Sequence, residues 1–532
     1  MRWTEYTRPM IPKQPVPRVL VVGAGHNGLV AAFYLARAGL DVQVLERRPF
    51  VGGACVTEEL IPGYRFSTCA NVAWALNPRV VRDTGLRERG LEIRLYDPMR
   101  YQPFPDGSVA WIWRDEERTI EAIARISPAD AAAWPRWQAF NDDLRRIFGP
   151  FRYGPAPRLA DIARLLGDRP ADAALLERLR TSTVDDIVDG FFTSDQMRTS
   201  VSTNGDLGSG GGSAMALAFS RMLSAPDPST GATTDLGGFV VGGMGTITQM
   251  LAEAATEQGA RIRTSAPVRL IAVHAGRVSG VELEDGEVIE ADIVLSNADP
   301  KATFLRLLSP EAVGPALRGR VERLVTGISS CKLHLVVDRP PLFAGAEPDD
   351  PLAPARGYTR LCDRRADYHD AWRATHAGQI AETPVLHVWV PSLHDPSLAP
   401  DGRHTVSVWI MPQPSRPSGT TWEVEGPRVA ERAIDAIEIY APGFRASIVD
   451  YRIITPADIE QRVGITDGNI HHLEDVPDQL FGDRPLPELA GYRAPIEGLY
   501  LCGAGQHPGG EVSGLPGYNA ARVVLAGLDV TA

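Results

Sequence analysis

The sequence predicts an α/β protein in which one parallel sheet is assembled from three separated segments of the chain. Strand–glycine turn–helix patterns occur near the start (18–46), in the middle (242–264) and near the end (499–528) of the 532 residues. Such repeated units are typical of doubly wound sheets with helices on both faces. Because a single hydrophobic core stops growing at about 250–300 residues, we also expect a second domain, formed by the material between these segments.

The first segment carries the most complete motif. An apolar strand over 18–22 is followed by Gly23-x-Gly25-x-x-Gly28, an alanine- and leucine-rich helix, and a strand that ends at Glu46. The glycines permit a tight turn and the close approach of a pyrophosphate, which binds the N–H groups and positive dipole end of the helix. An acid at the end of the second strand accepts hydrogen bonds from ribose hydroxyls. This segment therefore predicts a dinucleotide site.

Further glycine clusters favour a flavin dinucleotide over a nicotinamide one. The Gly52-Gly53 doublet follows Glu46 closely, as expected where the chain passes the ribityl and phosphate portion of an extended flavin cofactor. The tail from Gly503 to Asn519 is a glycine loop between the last strand and the last helix, and its N–H groups suit a reduced isoalloxazine ring. In the middle unit, Gly243-x-Gly245 is not followed by the third glycine of a GxGxxG motif or by a downstream acid, so no second site for NAD(P)H is predicted.

The other elements are predicted from periodicity and turn residues. Strands or hairpins are expected at 101–114, 261–264, 278–289, 292–296, 332–337, 385–390, 405–410 and 499–502, and helices at 246–257 and 518–528. The segment 116–188 has a helical pattern broken by prolines. By contrast, 203–213 is rich in glycine and serine and is expected to be a loop.

Composition and charge exclude several classes of protein. The net charge of −12 and the lack of a basic stripe argue against nucleic-acid binding. Five scattered cysteines without a CxxC pair imply no disulfide framework and argue against a dithiol–disulfide reductase. His471-His472 with Glu474 lacks a third ligand at helical spacing, so no metal site is predicted. Because 1–17 has no signal-peptide core and no run of about 18 apolar residues occurs, we expect a cytoplasmic protein.

Several separated motifs together resemble one family. The opening Gly23 to Ala32 (GAGHNGLVAA), the Gly52-Gly53 doublet, the middle glycine unit and the tail from Cys502 to Asn519 are similar to the phytoene desaturase/carotenoid isomerase superfamily of FAD proteins. Within it, the sequence most resembles the pyridine nucleotide-disulfide oxidoreductase domain-containing protein 2 group. The segments at 294–298, 330–332 and 455–460 share this resemblance, which covers nearly the whole chain.

The resemblance implies a glutathione-reductase-type FAD-binding Rossmann fold, discontinuous in sequence, with an inserted α+β substrate domain. It implies an FAD domain in three parts, 16–95, 236–300 and 446–532, and a substrate domain in two parts, a helical cap at 96–235 and a second part at 301–445. The cofactor-binding residues that it implies, with their immediate neighbours, are Gly23, Gly25, His26, Asn27, Gly28, Glu46, Arg47, Gly53, Ala54, Val268, Gly503, Val512, Pro516, Gly517 and Tyr518.

Candidates for proton transfer lie in the tail. A flavin accepts hydride without a protein nucleophile, so the protein mainly orients the substrate and manages protons. Glu511 stands where the family tail often has glycine, and we expect its carboxylate near the flavin as a proton acceptor, the alternative being a carboxylate that meets solvent or an arginine. His507 is a candidate general acid or base, the alternative being a histidine that caps backbone groups in a glycine loop. Cys502 is expected to be a small buried thiol, with a covalent flavin thioether as the alternative.

The leading functional hypothesis is an FAD-dependent oxidoreductase that removes hydride and a proton from adjacent atoms of an apolar or amphipathic small molecule. It forms a C=C or C=N bond and passes electrons to oxygen, a quinone or another acceptor. The alternatives are a non-redox, reduced-flavin isomerase of polyenes, a flavin-binding scaffold without turnover, and an amine oxidase. Peripheral contact with a membrane and the oligomeric state are left open.

Overall fold

The computed structural model describes residues 16–203, 212–227, 231–232 and 237–529. Five strands form its parallel sheet: β1 (Arg18–Val22), β2 (Asp41–Leu45), β9 (Arg261–Arg263), β13 (Ile293–Ser296) and β19 (Leu499–Leu501). Their order is β19-β13-β1-β2-β9, and every neighbouring pair is parallel. The three separated segments thus contribute to one sheet, which confirms the predicted α/β fold with a discontinuous Rossmann-type sheet.

Three helices cover one face of this sheet: α1 (His26–Arg37), α10 (Gly245–Glu257) and α18 (Leu515–Gly527). Helix α1 contacts both α10 and α18, and every residue from 27 to 36 is buried. Alternate residues of β1 face opposite sides, because successive strand side chains alternate. Val19 and Val21 therefore pack in the core with these helices, whereas Leu20 and Val22 belong to a second core.

The second core lies against a three-stranded antiparallel sheet of β10 (Val268–His274), β11 (Arg277–Leu283) and β12 (Val288–Glu290). The hairpin predicted at 278–289 corresponds to β11 and β12, which pair antiparallel. Strand β10 also pairs antiparallel with β11 and was not predicted. Its sequence, VRLIAVH, has no strict alternation of polar and apolar residues, and Val268 at its start packs against the second core.

A seven-stranded sheet forms the second layer of the molecule. Its strands are β6 (Arg100–Pro103), β7 (Val109–Ile112), β14 (Ile328–Val337), β15 (Thr359–Leu361), β16 (Leu386–Trp389), β17 (His404–Pro414) and β18 (Ile448–Ile454). Their order is β18-β14-β17-β16-β15-β6-β7, and only the β15–β6 pair is parallel. One face packs in an apolar core with α15 (Trp422–Tyr440). The other face is therefore available to line a site.

Helices dominate the segment between β7 and the middle unit. They are α3 (Glu116–Ala124), α4 (Pro128–Phe148), α5 (Leu159–Leu165), α6 (Pro170–Thr181), α7 (Val184–Asp189), α8 (Asp195–Ser202) and α9 (Met215–Leu223). They share an aromatic core that includes Trp134, Trp137 and Phe192, as the helical pattern at 116–188 predicts. Most of the loop expected at 203–213 lies outside the described residues.

The smaller elements connect these layers. They are β3 (Thr57–Ile61), β4 (Tyr64–Ser67), α2 (Pro78–Thr84), β5 (Ile93–Leu95), β8 (Gly238–Val240), α11 (Pro310–Val313), α12 (Pro315–Glu322), α13 (Ala353–Arg356), α14 (Arg365–His376), α16 (Phe444–Ser447) and α17 (Pro456–Val463). The domain division stays a prediction. One strand bears on it, because β18 follows residue 445 and yet pairs with β14 of the seven-stranded sheet. Among the described residues, no helix is both long and apolar enough to cross a bilayer.

Candidate active site

A cavity of about 1140 Å³ runs from the parallel sheet to the seven-stranded sheet. Its lining begins with Val22, Leu45 and Asn297, at or just beyond the carboxyl ends of β1, β2 and β13. Ligands of open parallel sheets bind at these strand ends. Pockets for drug-sized molecules are about 300–1,000 Å³. This cavity is therefore larger than the pocket that a single drug-sized molecule occupies.

The glycine turn between β1 and α1 forms one wall of the cavity. Gly23 and Gly25 line it, and a Cβ atom on Gly25 would lie 2.8 Å from Nδ2 of Asn297. A Cβ atom on Gly28 would lie 2.2 Å from the Gly23 carbonyl oxygen, so this glycine lets the helix pack on the turn. Gly53 has a φ of 57°, and a Cβ there would lie 3.2 Å from the Gly25 Cα. The two glycine motifs therefore lie against each other, as the dinucleotide hypothesis requires.

Glu46 follows β2 and is held by backbone donors. Its Oε2 accepts from the Ala24 N–H at 2.8 Å, and its Oε1 accepts from the Arg48 N–H at 2.9 Å. The carboxylate is buried, and each oxygen retains capacity for a further donor such as a ribose hydroxyl. Arg47 also lines the cavity, and its guanidinium donates to the carbonyl of Gln461. Glu46 is thus fixed where the sequence motif predicts it.

Two buried polar atoms at the start of α1 have no hydrogen-bond partner among the described residues. They are Nε2 of His26 and Oδ1 of Asn27, and both side chains line the cavity. Burial and the nearby His472 lower the pKa of His26 to about 4, so the ring is neutral at pH 7. Orphaned polar atoms, a cradle that side chains would fill and a helix N-terminus fit the phosphates and ribose of a bound dinucleotide.

The remaining predicted cofactor positions divide into two groups. Ala54, Val268 and Val512 line the cavity. The positions that do not line it are Gly28, Gly503, Pro516, Gly517 and Tyr518. Gly517 serves packing, because a Cβ there would lie 2.0 Å from the Asn27 carbonyl oxygen of α1. Tyr518 Oη accepts from Arg79 at 3.1 Å and its ring packs edge-on against Tyr34.

Glu511 lies on the cavity, next to Val512. Its φ of 66° is in the left-handed region that favours glycine. The position therefore has the backbone of the glycine common in the family tail, and here it carries a half-buried carboxylate into the lining. Glu511 also lines a smaller adjoining cavity of about 160 Å³ that includes Glu474. Desolvation raises the pKa of Glu474 to about 7.

His507 lines neither of these two cavities. The ring is fully buried, and its Nε2 donates to the Phe151 carbonyl at 2.9 Å. Burial lowers its pKa to about 3. Its own carbonyl accepts from the Tyr492 hydroxyl at 2.7 Å. The histidine thus matches the backbone-capping alternative. Cys502 is likewise buried away from the cavities, and burial raises the pKa of its thiol.

Lys332, on β14, is a site residue that the motifs did not single out as functional. The side chain is only 2% exposed and lines the cavity. None of the described residues accepts a hydrogen bond or forms an ion pair with its ammonium, which lies 5.5 and 6.0 Å from the ring centroids of Trp409 and Trp389. Burial lowers the pKa of Lys332 from 10.5 to about 7. A sequence signal was present, since this lysine interrupts a strand that is otherwise mostly apolar.

Lys332 begins a row of polar side chains across the seven-stranded sheet. Cross-strand register pairs Lys332 with Trp409, Trp409 with His387, and His387 with Arg360, on the neighbouring strands β14, β17, β16 and β15. Arg100 on β6 meets the end of the row, because Arg100 and Arg360 both donate to the Ser200 carbonyl. These five side chains all line the cavity. We call Lys332, Trp409, His387, Arg360 and Arg100 the sheet row.

Comparison with known proteins gives a consistent assignment. The family model described as flavin containing amine oxidoreductase matches residues 28–416. The chain is 34% identical to the pyridine nucleotide-disulfide oxidoreductase domain-containing protein 2 of Rattus norvegicus, over 97% of this chain and 94% of the relative. It is 28% identical to the lycopene-forming phytoene desaturase of Pseudescherichia vulneris, over 96% and 98% of the two chains.

Solved structures agree on the fold. An oxidoreductase from Methanosarcina mazei superposes with a TM-score of 0.63 at 17% identity, covering 96% of this chain and 100% of that one. The family match, the full-length relatives and the glycine cradle with its buried acid point to the same cofactor. The chain belongs to the flavin-containing amine oxidoreductase family, and it is an FAD-dependent oxidoreductase.

Proposed function

We propose that this oxidoreductase dehydrogenates an apolar or amphipathic small molecule between Lys332 and helix α4. The observation that carries the proposal is the continuity of the cavity, which joins the glycine cradle to a chamber with aromatic walls. The chamber is lined by Trp113, Trp134, Trp137, Tyr358, Trp389 and Trp409. Aromatic side chains bury large apolar areas, so these walls favour an apolar body over a fully polar substrate.

The residues for the cofactor lie at the other end of the cavity. Gly23, Gly25 and the start of α1 would hold the pyrophosphate, and Glu46 the adenosine ribose. Gly53 and Ala54 also line the cavity, and Gly53 lies against Gly25 of this cradle. When bound, FAD supplies the acceptor for the hydride and its two electrons that leave a substrate C–H bond. This chain must then bind and orient the substrate and accept the second hydrogen as a proton.

Lys332 is the side chain that we assign to proton transfer. With a pKa of about 7, a large share of its amines is neutral at neutral pH and can accept a proton. Lys332 shares the cavity lining with Cys69, Ala70 and Ala54, and the Ala70 N–H donates to the Ala54 carbonyl at 3.3 Å. Glu511 is a second candidate, since its carboxylate belongs to the same lining.

The test is spectroscopic and starts with the purified protein. Acid precipitation should release the flavin into the supernatant, because Cys502 lies away from the cavity. Candidate substrates are then added under anaerobic conditions while the visible absorbance of the oxidised flavin is followed. Substrate-dependent bleaching, restored by oxygen or a quinone, is expected. Turnover only after prior reduction, without consumption of acceptor, would support the isomerase alternative, and binding without bleaching by any candidate would support the scaffold.

A further inference from the structure

The arginine end of the sheet row has the properties of an anion site. Arg360 Nη1 donates to the Ser200 carbonyl at 3.0 Å, and Arg100 Nη1 donates to the same oxygen. Arg360 also donates to the hydroxyls of Tyr358 at 3.0 Å and Thr203 at 3.3 Å. A guanidinium carries five N–H donors. Arg100 is half-buried on the cavity, and its other nitrogens have no hydrogen-bond acceptor among the described residues. Donors therefore remain for a ligand.

Cationic side chains cluster at this end of the sheet row. Arg360 and Arg221 lie close enough to Arg100 that their like charges, together with burial, lower its pKa to about 9. In the part of the chain that the structure describes, no carboxylate forms an ion pair with Arg100, and the strands of the seven-stranded sheet bring no acidic residue to the cavity lining. A bound anion would satisfy the guanidinium donors and offset the repulsion, whereas an ammonium group would add to it.

The sheet row also sets the distance between Lys332 and the arginine end. Lys332 and Arg360 stand on strands separated by β17 and β16. Because neighbouring strands lie about 4.8 Å apart, their backbones are roughly 14 Å apart. Between them the aromatic rings of Trp389, Trp409 and Tyr358 provide apolar walls. A group bound at the arginine end and a C–H bond reacting beside Lys332 must therefore belong to an elongated molecule.

We propose that the substrate is an elongated organic acid whose carboxylate binds Arg100, beside Arg360, while its apolar body spans the sheet row toward Lys332. The reacting C–H bond then lies several bonds from the carboxylate, which separates this substrate class from α-amino acids. The inference rests on the proposed function and narrows it, because an acid without an amine directs the oxidation to a C=C bond. The cationic side chains of the sheet row repel an ammonium group, so an amine substrate is disfavoured.

The test is a binding comparison on the FAD-loaded protein. Calorimetric titrations use ω-phenylalkanoic acids of graded chain length, with the alcohol and the primary amine of each carbon skeleton as matched probes. At the best chain length the acid should bind about tenfold or more tightly than the alcohol, and the amine should bind most weakly. A longer acid should bind better than phenylacetic acid, because only a longer body spans the row.

Substitutions of two cavity-lining arginines test which residue causes the preference for the acid. Arg100→Gln should weaken the acid about tenfold and leave the alcohol unchanged, because it removes one charged donor, and Arg100→Lys should restore part of the preference. Arg145→Gln is the matched control: this arginine also lines the cavity, but it is paired with Asp142 at 2.6 Å and donates to Ser224. It should bind both probes as the parent protein does.

Three outcomes would overturn the inference. The first is that the alcohol or the amine binds as tightly as the acid at every chain length, and the second is that no acid binds measurably. The third is that Arg100→Gln loses affinity for the acid and the alcohol equally. Failure of the proposed function is read separately, from the anaerobic flavin spectrum. Acids that bind with the predicted preference while no candidate substrate bleaches the flavin would contradict dehydrogenation alone. Bleaching by uncharged probes, without any preference for acids, would contradict the acid class alone.

Discussion

Replacing Lys332 with methionine should stabilise the protein, and by more at low pH than at high pH. The ammonium is buried without a hydrogen-bond acceptor among the described residues, and desolvation lowers its pKa from 10.5 to about 7. The unfolded chain therefore binds the proton more readily than the native state. Native stability is lost as pH falls from the unfolded pKa toward 7, and the full loss is present below that value.

The magnitude follows from the size of the shift. Each pKa unit corresponds to about 1.4 kcal/mol, so a pKa of about 7 costs roughly 5 kcal/mol of unfolding free energy near pH 6. Near pH 9 the amine of the native state is already neutral, so the cost depends only on the interval between pH 9 and the unfolded pKa of 10.5. The cost there is about 2 kcal/mol. Methionine is flexible and apolar and fills the site without a charge. The advantage of Lys332→Met should thus be about 3 kcal/mol larger near pH 6 than near pH 9.

Urea unfolding of the FAD-loaded protein at the two pH values measures this difference. Lys301→Met is the control, since Lys301 Nζ donates to the Thr326 hydroxyl at 2.9 Å and lies 4.0 Å from an Asp467 oxygen. Its replacement should not stabilise the protein at either pH. An advantage of Lys332→Met that is absent, or equal at the two pH values, would refute the reasoning that Lys332 is a desolvated amine with a low pKa.

Three further predictions concern the cofactor and the tail. Glu46→Gln should raise the Kd of FAD about tenfold, because the carboxylate loses its charge, and fluorescence titration with an unchanged Kd would contradict this. Glu511→Gly should retain FAD, alter turnover and gain about 1 kcal/mol of unfolding free energy by relieving the left-handed φ; Glu511→Ala, which keeps that strain, separates the two effects. His507→Ala should lower unfolding free energy by about 1–3 kcal/mol, because the Phe151 carbonyl loses its donor, and a changed pH profile of turnover would restore a catalytic role.

The cofactor half of the cavity was largely predictable because its signals are local. The turn with Gly23 and Gly25, the helix after it and Glu46 at the end of the next strand lie within one short βαβ unit. The conformations of these residues depend mostly on their immediate neighbours in sequence. The tail was harder, because a glycine there serves either a ligand or packing. Gly517 packs against α1, and His507 caps the Phe151 carbonyl of a distant segment.

The part of the cavity that we propose for the substrate depends on contacts that sequence patterns do not encode. The sheet row joins Arg100 to residues of β14, β15, β16 and β17, which lie more than 200 positions later in the chain. Taken alone, each of these side chains is an ordinary strand residue that carries no functional signal in the sequence. Their meeting depends on the register between strands, and a shift of one residue would turn them to the opposite face.

The sequence by itself thus determined the cofactor class and the parallel sheet, because glycine turns, helix starts and strand ends are short-range features. Only the tertiary structure decided which polar side chains line the same cavity as the glycine turn and Glu46. It buried Lys332 beside two tryptophans and brought Arg360 and Arg100 to one carbonyl oxygen. The physical reason is that desolvation and charge repulsion arise between residues distant in the chain, and pairing of the strands sets which residues those are.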